Sequence, residues 1–456
     1  MIRKRLGALG TTRRIALAIL ALPAAAAAQQ PAQHAPTLAS LLTKAEENSP
    51  RILAAVNTAE AAEARVPQAG ALPDPTLGVG VMNLPVADPS LGRDMMTMTT
   101  VQLGGQFPWP GKLSLGEQVA RLRAEAAGWE VERTRQEVLA DVKATYYRVY
   151  FLDRALEVTL RNEVHVGDFA RLTSTKYGVG TGAQPDVLKA QVERTRLAHQ
   201  VVALTEERTS AVARLNALLG RATETPLPST ELPESLRTAA LEQESTEASF
   251  ASASFTAVPA ADEPVAPGIA SVAELQRLAL EHNPMIQAHV RRVAAQERAV
   301  SLAEKAKLPD VNVAVAYSRR ADFGDFANVT VSVPVPVFSG RKQDQAVVEE
   351  EAVLADHRAR HRVMVDQVNA DIASVAAGLR RARDQLVLLN EGILPQARTS
   401  LLSATASYQV GRVDFLTLLD AQVTLYRHEL DYHRLLSDFA ADLAALERAV
   451  GTEVKR

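Results

Sequence analysis

The residues of this chain that could do chemistry are few. Met95, Met96 and Met98, with Met82 across a loop, carry the soft thioether sulfurs that hold monovalent copper or silver. Period-two alternation puts Met96 and Met98 on one face and Met95 on the other, and the same residues also read as ordinary strand and loop positions. His357 and His361 stand four apart on a helical stretch, which is metal-ligand spacing. No third ligand is near in sequence, and Arg358, Arg360 and Arg362 repel a cation, so the pair reads as a polar helix face. Gly178-x-Gly180-x-Gly182 resembles a nucleotide loop only superficially, because it follows a helix rather than a strand and reads as a turn. Gly-x-Ser-x-Gly, His-Glu-x-x-His and Walker patterns do not occur. The zero cysteine count removes disulfide scaffolds, thiol catalysis, iron–sulfur sites and a lipidated N-terminal cysteine. No enzyme and no cofactor is expected.

The elements around those residues are more telling. Arg3, Lys4, Arg5, Arg13 and Arg14, then the short apolar run Ile15 to Leu22 and the small residues Ala24 to Ala28, form a secretory signal peptide over 1–28. The formal charge of −3 leaves no nucleic-acid footprint. Past the leader, no run of about 18 apolar residues marks a spanning helix.

The chain repeats itself at an offset of about 231–236 residues. Leu72-Pro73-Asp74 recurs as Leu308-Pro309-Asp310, Tyr177-x-Val179-Gly180 as Tyr408-x-Val410-Gly411, and Leu188-x-Ala190-Gln191-Val192 as Leu419-x-Ala421-Gln422-Val423. Gly220 and Gly451 end the two halves. The first repeat is placed at 29–221 and the second at 269–456. Between them, 222–268 holds six prolines and eight acidic residues against Arg237 alone, and is expected to be an acidic linker without order of its own.

Each half changes period in the same order. A helix comes first, Leu38 to about Ala71 and Val272 to about Lys307. Alternating strands follow, about 76–83 and 96–107, then about 311–318 and 327–337, near the length of a membrane β-strand. Long heptad seams come next, Val138 to Leu156 and Val368 to Ile393 in steps of four and three, within helical hairpins at 113–220 and 341–451. Leu113 to Lys176 alone is about 96 Å if helical at ~1.5 Å per residue. Pro395 should kink the equivalent helix of the second half. Four amphipathic strands with open edges are untenable in lipid, and three copies would close a barrel of twelve.

The order of these elements, the duplicated Tyr-x-x-Gly turns and the Leu-x-Ala-Gln helices resemble the TolC-type outer-membrane efflux family, across the whole mature chain except the linker. Leu72 to Pro85, Arg93 to Met98, Phe107-Pro108-Trp109-Pro110-Gly111-Lys112 and Lys176 to Gly180 resemble its heavy-metal branch, which serves pumps of the resistance–nodulation–division (RND) type. The resemblance implies a mainly α protein with membrane β: a homotrimer whose 12-stranded outer-membrane barrel continues into a periplasmic α-helical barrel. It implies a passive exit duct for solutes, heavy-metal cations among them, delivered by an inner-membrane RND pump through a periplasmic adaptor. By position, Asp420 matches an aspartate of the family's periplasmic constriction; the second such site is Thr417 here, and Asp186 and Asp414 lie in the same helix–turn regions and are its candidate replacements. The hairpin tips Gly178, Gly180, Gly182, Gly411 and Arg412 are the expected adaptor contacts. A type I protein-secretion duct or a multidrug duct would share the fold. A periplasmic coiled-coil adaptor is the competing class, and the duplication and the four strands argue against it.

Overall fold

A computed structural model describes residues 37–87, 89–92, 94–241 and 262–454. The signal-peptide reading over 1–28 lies outside the described residues, as does Arg93. The first half runs α1 (Leu38–Asn48), α2 (Pro50–Gly70), β1 (Thr76–Met82), β2 (Met98–Phe107), α3 (Lys112–Gly178) and α4 (Gln184–Leu218). After α5 (Glu234–Leu241) and the short pair β3 (Pro264–Ala266) and β4 (Ile269–Ser271), the plan repeats. It does so as α6 (Val272–His282), α7 (Pro284–Lys305), β5 (Val311–Arg319), β6 (Phe326–Ser332), α8 (Gln343–Val387), α9 (Leu394–Gln409) and α10 (Phe415–Val450). No helix among the described residues is long and apolar enough to cross a membrane.

The opening helix expected in each half is two helices. The break falls at Ser49 before Pro50 and at Asn283 before Pro284, because a residue preceding proline is pushed out of the helical region. Asn283 then caps α7 by accepting from the Met285 and Ile286 amides, while its own amide donates to the Ala449 carbonyl at 2.7 Å. This corner is where the hairpins return. Gly220, at φ +63, lies against the Asn48 carbonyl, and Gly451, at φ +90, lies against that of His282.

The four long strands form one antiparallel sheet in the order β1-β2-β5-β6, so the two halves join at β2 and β5. The register sorts the side chains. Leu77, Val79 and Val81 stand opposite Leu103, Val101 and Thr99; Leu103 and Val101 stand opposite Val315 and Tyr317; Val313 and Val315 stand opposite Val331 and Val329. The other face carries Gly78, Gly80, Thr100, Gln102, Asn312, Ser318, Asn328, Thr330 and Ser332. Thr100 and Ser318 share a hydrogen bond there at 2.9 Å. β6 ends at Ser332, earlier than the alternation suggests, because Pro334 and Pro336 cannot donate to a ladder. β1 ends where Asn83 takes φ +53.

Below the sheet, α3 runs unbroken for 67 residues with Val138, Val142, Val149 and Leu152 fully buried on its seam. Its counterpart is interrupted. A π-helical turn, Leu388–Ile393, separates α8 from α9 just before Pro395, so the regular helix is interrupted one turn ahead of the proline where a kink is expected.

The expected linker is not uniformly one. In its described parts Leu227 is buried against the first half's core, and Ala239, Ala240, Val265 and Ala266 are buried against the second's. Asp153 accepts from the Thr230 amide and hydroxyl, both at 2.8 Å, and the Tyr146 hydroxyl donates to the Glu231 carbonyl at 2.9 Å. Averaged composition hides this, because a few apolar residues suffice when neighbouring helices supply the missing hydrogen-bond partners.

Candidate functional site

Two places concentrate the candidate residues: the tips of the hairpins and the loop end of the sheet. The tips are built alike. Gly180 and Gly411 take φ +78 and +72, a left-handed conformation that glycine adopts without a Cβ penalty. Thr181 donates to the Lys176 carbonyl at 2.9 Å and Arg412 to that of Ser407 at 2.9 Å; Gly180 donates to Tyr177 at 3.0 Å and Gly411 to Tyr408 at 3.1 Å. The same helix-terminating hydrogen bonds thus appear twice, as the repeated Tyr-x-x-Gly implies. Gly178, Gly180 and Gly411 have open space where a Cβ would go, whereas at Gly182 a Cβ would come within 2.9 Å of the Tyr177 amide nitrogen.

The chain then re-enters a helix differently at each tip. Asp414 caps α10 by accepting from the Thr417 amide at 2.9 Å and its hydroxyl at 2.6 Å. Those two bonds hold its carboxyl below the usual carboxylate range. The position equivalent to Asp414 is Ala183, which offers no side-chain cap, and Pro185 starts α4 instead. Asp186 follows in the first turn of α4, half-buried, and adds to the burial that pushes the Tyr408 hydroxyl up. Asp420 is exposed on α10, one turn beyond Thr417. The fold therefore gathers Asp186, Asp414 and Thr417 near one end of the hairpins, with Asp414 and Thr417 bound to each other.

Contacts that sequence reasoning missed tie the two hairpins together above the tips. The Lys176 ammonium donates to the Tyr408 carbonyl and lies 4.3 Å from its ring centre. Phe415, Leu418, Ala190 and Tyr408 bury together as a small core drawn from both hairpins. Higher up, the Thr159 and Tyr426 hydroxyls are 3.1 Å apart, the Gln422 amide donates to the buried Asn162, and Arg161 pairs with Glu429 at 2.7 Å. One signal was available: Thr159 is a polar residue in step with the α3 heptad seam.

His357 and His361 on α8 lie near His289 of α7. Burial pushes the His289 imidazole below its ordinary value, and the charges of Arg292 and His361 add to that. Among the described residues no group of three His, Asp or Glu is arranged to hold a metal ion. At the other end, Met82 and Met98 are register partners, and Met95 and Met96 lie in the turn before β2.

Comparison with known proteins agrees on one family. Residues 41–221 and 275–452, the two structural repeats without the segment between them, match the outer membrane efflux protein family. The cobalt-zinc-cadmium resistance protein CzcC of Cupriavidus metallidurans is 21% identical over 417 residues, covering 91% of this chain and 90% of that protein. The outer membrane protein TolC of Vibrio cholerae is 22% identical over 437 residues, covering 92% of this chain and 91% of that protein. Among solved structures, the outer-membrane channel OprN superposes with a TM-score of 0.74 at 19% identity, over 91% of this chain and 90% of that one.

Proposed function

We propose that this chain, which belongs to the outer membrane efflux protein family, is the exit duct of a tripartite pump that expels heavy-metal cations. The observation that carries the reading is the two-faced sheet. Leu77, Val79, Val329 and Val331 are each more than 60% exposed on one face, while the opposite face carries mostly small and polar residues. A patch of that kind needs a covering, and lipid is the covering that suits an apolar band on one face only. The sheet ends in two unpaired edges, β1 and β6. In lipid those backbone groups must find partners, and further copies of the same sheet supply them. Three copies make twelve strands, with the polar faces inward.

The hairpins extend the duct into the periplasm, and 1–28 exports the chain and is removed. The tips are small, exposed and repeated, which suits close approach by a periplasmic adaptor, with Gly178, Gly180, Gly182, Gly411 and Arg412 as contacts. An inner-membrane RND pump supplies the energy. Asp420, Asp186 and Asp414 with Thr417 are the candidate constriction near the tips, where like charges brought together on an axis attract cations. Heavy metals are favoured over drugs because a relative matched along nine-tenths of the chain is a cobalt-zinc-cadmium resistance protein.

The test is a resistance profile. Deleting the gene should sensitise cells to copper, silver, zinc, cobalt or cadmium, with rescue by the intact gene. Sensitivity to drugs alone would discard the metal reading and keep the duct; sensitivity to neither, with loss of a secreted protein, would discard efflux and make the duct one for protein secretion. For the tips, Gly178→Glu adds charge and bulk into open space without strain. It should abolish rescue while assembly and abundance stay normal, and undiminished resistance would remove the tip from the docking surface.

A further inference from the structure

Methionine is unevenly spread in this chain. Of seven methionines, Met82, Met95, Met96 and Met98 fall around one loop, between β1 and β2. The register places Met82 directly opposite Met98 on the last rung of that ladder. Partners on one rung have Cβ atoms about 4.5–5.5 Å apart, within reach for two flexible thioethers to meet one ion. Both lie on the polar face, in line with Thr100, Gln102, Gly80 and Gly78. On that face Met82 is about half exposed and Met98 partly so, which leaves both sulfurs open to an ion. The loop is clipped shut beside the rung: the Thr97 hydroxyl donates to the Asn83 carbonyl at 2.8 Å, and the Asn83 amide donates to the Met96 carbonyl at 3.2 Å. Residue 96 is thereby held next to the Met82–Met98 pair.

The surrounding charges suit a weakly held monovalent ion. Asp94 accepts from the Met96 amide at 2.9 Å and brings one negative charge. Arg320 reaches the Met95 carbonyl at 3.4 Å, but its guanidinium is stacked 4.1 Å from the Phe326 ring centre and bound to the Gly324 carbonyl at 2.7 Å. Neutral sulfur donors select soft ions and do not compete for zinc or cobalt, which prefer nitrogen, oxygen or thiolate.

We propose that Met82, Met98 and Met96 form a thioether site for a soft monovalent cation, copper(I) or silver(I), at the loop end of the sheet. That this site faces the lumen rests on the duct reading; that it binds the ion does not. The site gives an outgoing soft cation a last, exchangeable stop before release.

The experiment uses the full-length protein purified in detergent, silver nitrate as the probe, and mass-spectrometric measurement of methionine sulfoxide formed by dilute peroxide. Silver should slow oxidation of Met82, Met96 and Met98 at least fivefold and leave Met95, Met285 and Met364 unchanged, and zinc should protect none of them. In the paired variant Met82→Leu with Met98→Leu, which keeps side-chain volume, silver protection of Met96 should disappear. Equal oxidation with and without silver, equal protection of Met95, or persistent protection of Met96 in the variant would each overturn the site. Because the readout involves no transport, failure of the site and failure of the efflux reading are told apart by the resistance profile.

Discussion

The two halves of this chain share one plan and differ at the joints. The first hairpin descends in a single 67-residue helix, α3, and turns at a tip that begins α4 with no side-chain cap. The second descends through α8, a π-helical turn and α9, and turns at a tip whose next helix is capped by Asp414. At the junction of sheet and hairpins the asymmetry is sharper. Asp310 accepts from the Lys112 ammonium at 2.6 Å, the Trp109 amide at 2.9 Å and the Gln106 amide at 3.1 Å, binding β5 of the second half to the start of α3 in the first. Its repeat partner Asp74 is exposed. Duplication has thus preserved the places where backbones must meet and released those where side chains merely add hold.

Substitutions at paired positions test that lesson. The largest expected effect is at the returning corners. A Cβ at Gly451 would sit 2.4 Å from the His282 carbonyl oxygen, and one at Gly220 would sit 2.9 Å from that of Asn48, both at positive φ. Gly451→Ala should destabilise by about 4 kcal/mol and Gly220→Ala by about 2 kcal/mol, from left-handed strain plus a clash with backbone that cannot swing aside. Thermal unfolding of the purified protein would order them; equal, mild effects would break the comparison.

Next comes the junction. Asp310→Ala takes the carboxylate from a largely covered Lys112, leaving it the Leu308 carbonyl, and should cost about 2 kcal/mol, while Asp74→Ala should change nothing measurable. The smallest effects lie at the tips. Asp414→Ala should lower the midpoint by about 1–2 °C, and the reverse design, Ala183→Asp, should raise it by a similar amount, since Ala183 already has the extended backbone of a cap. The cap also has a pH signature. Its carboxyl titrates lower in the folded protein than in the unfolded chain. Its contribution is therefore fully present above the ordinary carboxylate value and lost as pH falls from there through the lower value of the folded protein. The difference between wild type and Asp414→Ala should shrink on acidification, and one that grew would contradict the cap.

Much of this organisation is legible in the sequence because it is periodic. Alternation of Val and Thr or Asn sorts the faces of β2 and β6, and steps of four and three mark the buried seam of α3. What is not legible depends on single side chains meeting across the repeat. Nothing near Asn162 points to Gln422, nor near Lys176 to Tyr408, since these contacts join residues more than two hundred positions apart. The buried residues in the described parts of 222–268 escaped for the opposite reason: a handful of anchors, Leu227 and Val265 among them, is diluted by proline, serine and acid. At the candidate constriction, composition and position single out Asp186, Asp414 and Asp420 alike, and only the structure shows that Asp414 caps α10 while Asp186 is half-buried in the first turn of α4.

In the proposed duct, copies of this sheet join edge to edge, β1 of one to β6 of the next, and close on themselves. The chain has no cysteine of its own, which makes the test clean. Gly80→Cys on β1, combined in turn with Asn328→Cys, Thr330→Cys or Ser332→Cys on the same face of β6, should give, for at least one pair, a disulfide-linked species that stops at three chains when outer membranes are oxidised. If every pair yielded only monomers, or a ladder running past three, the sheet would not close as a trimeric barrel and the duct reading would fall with it.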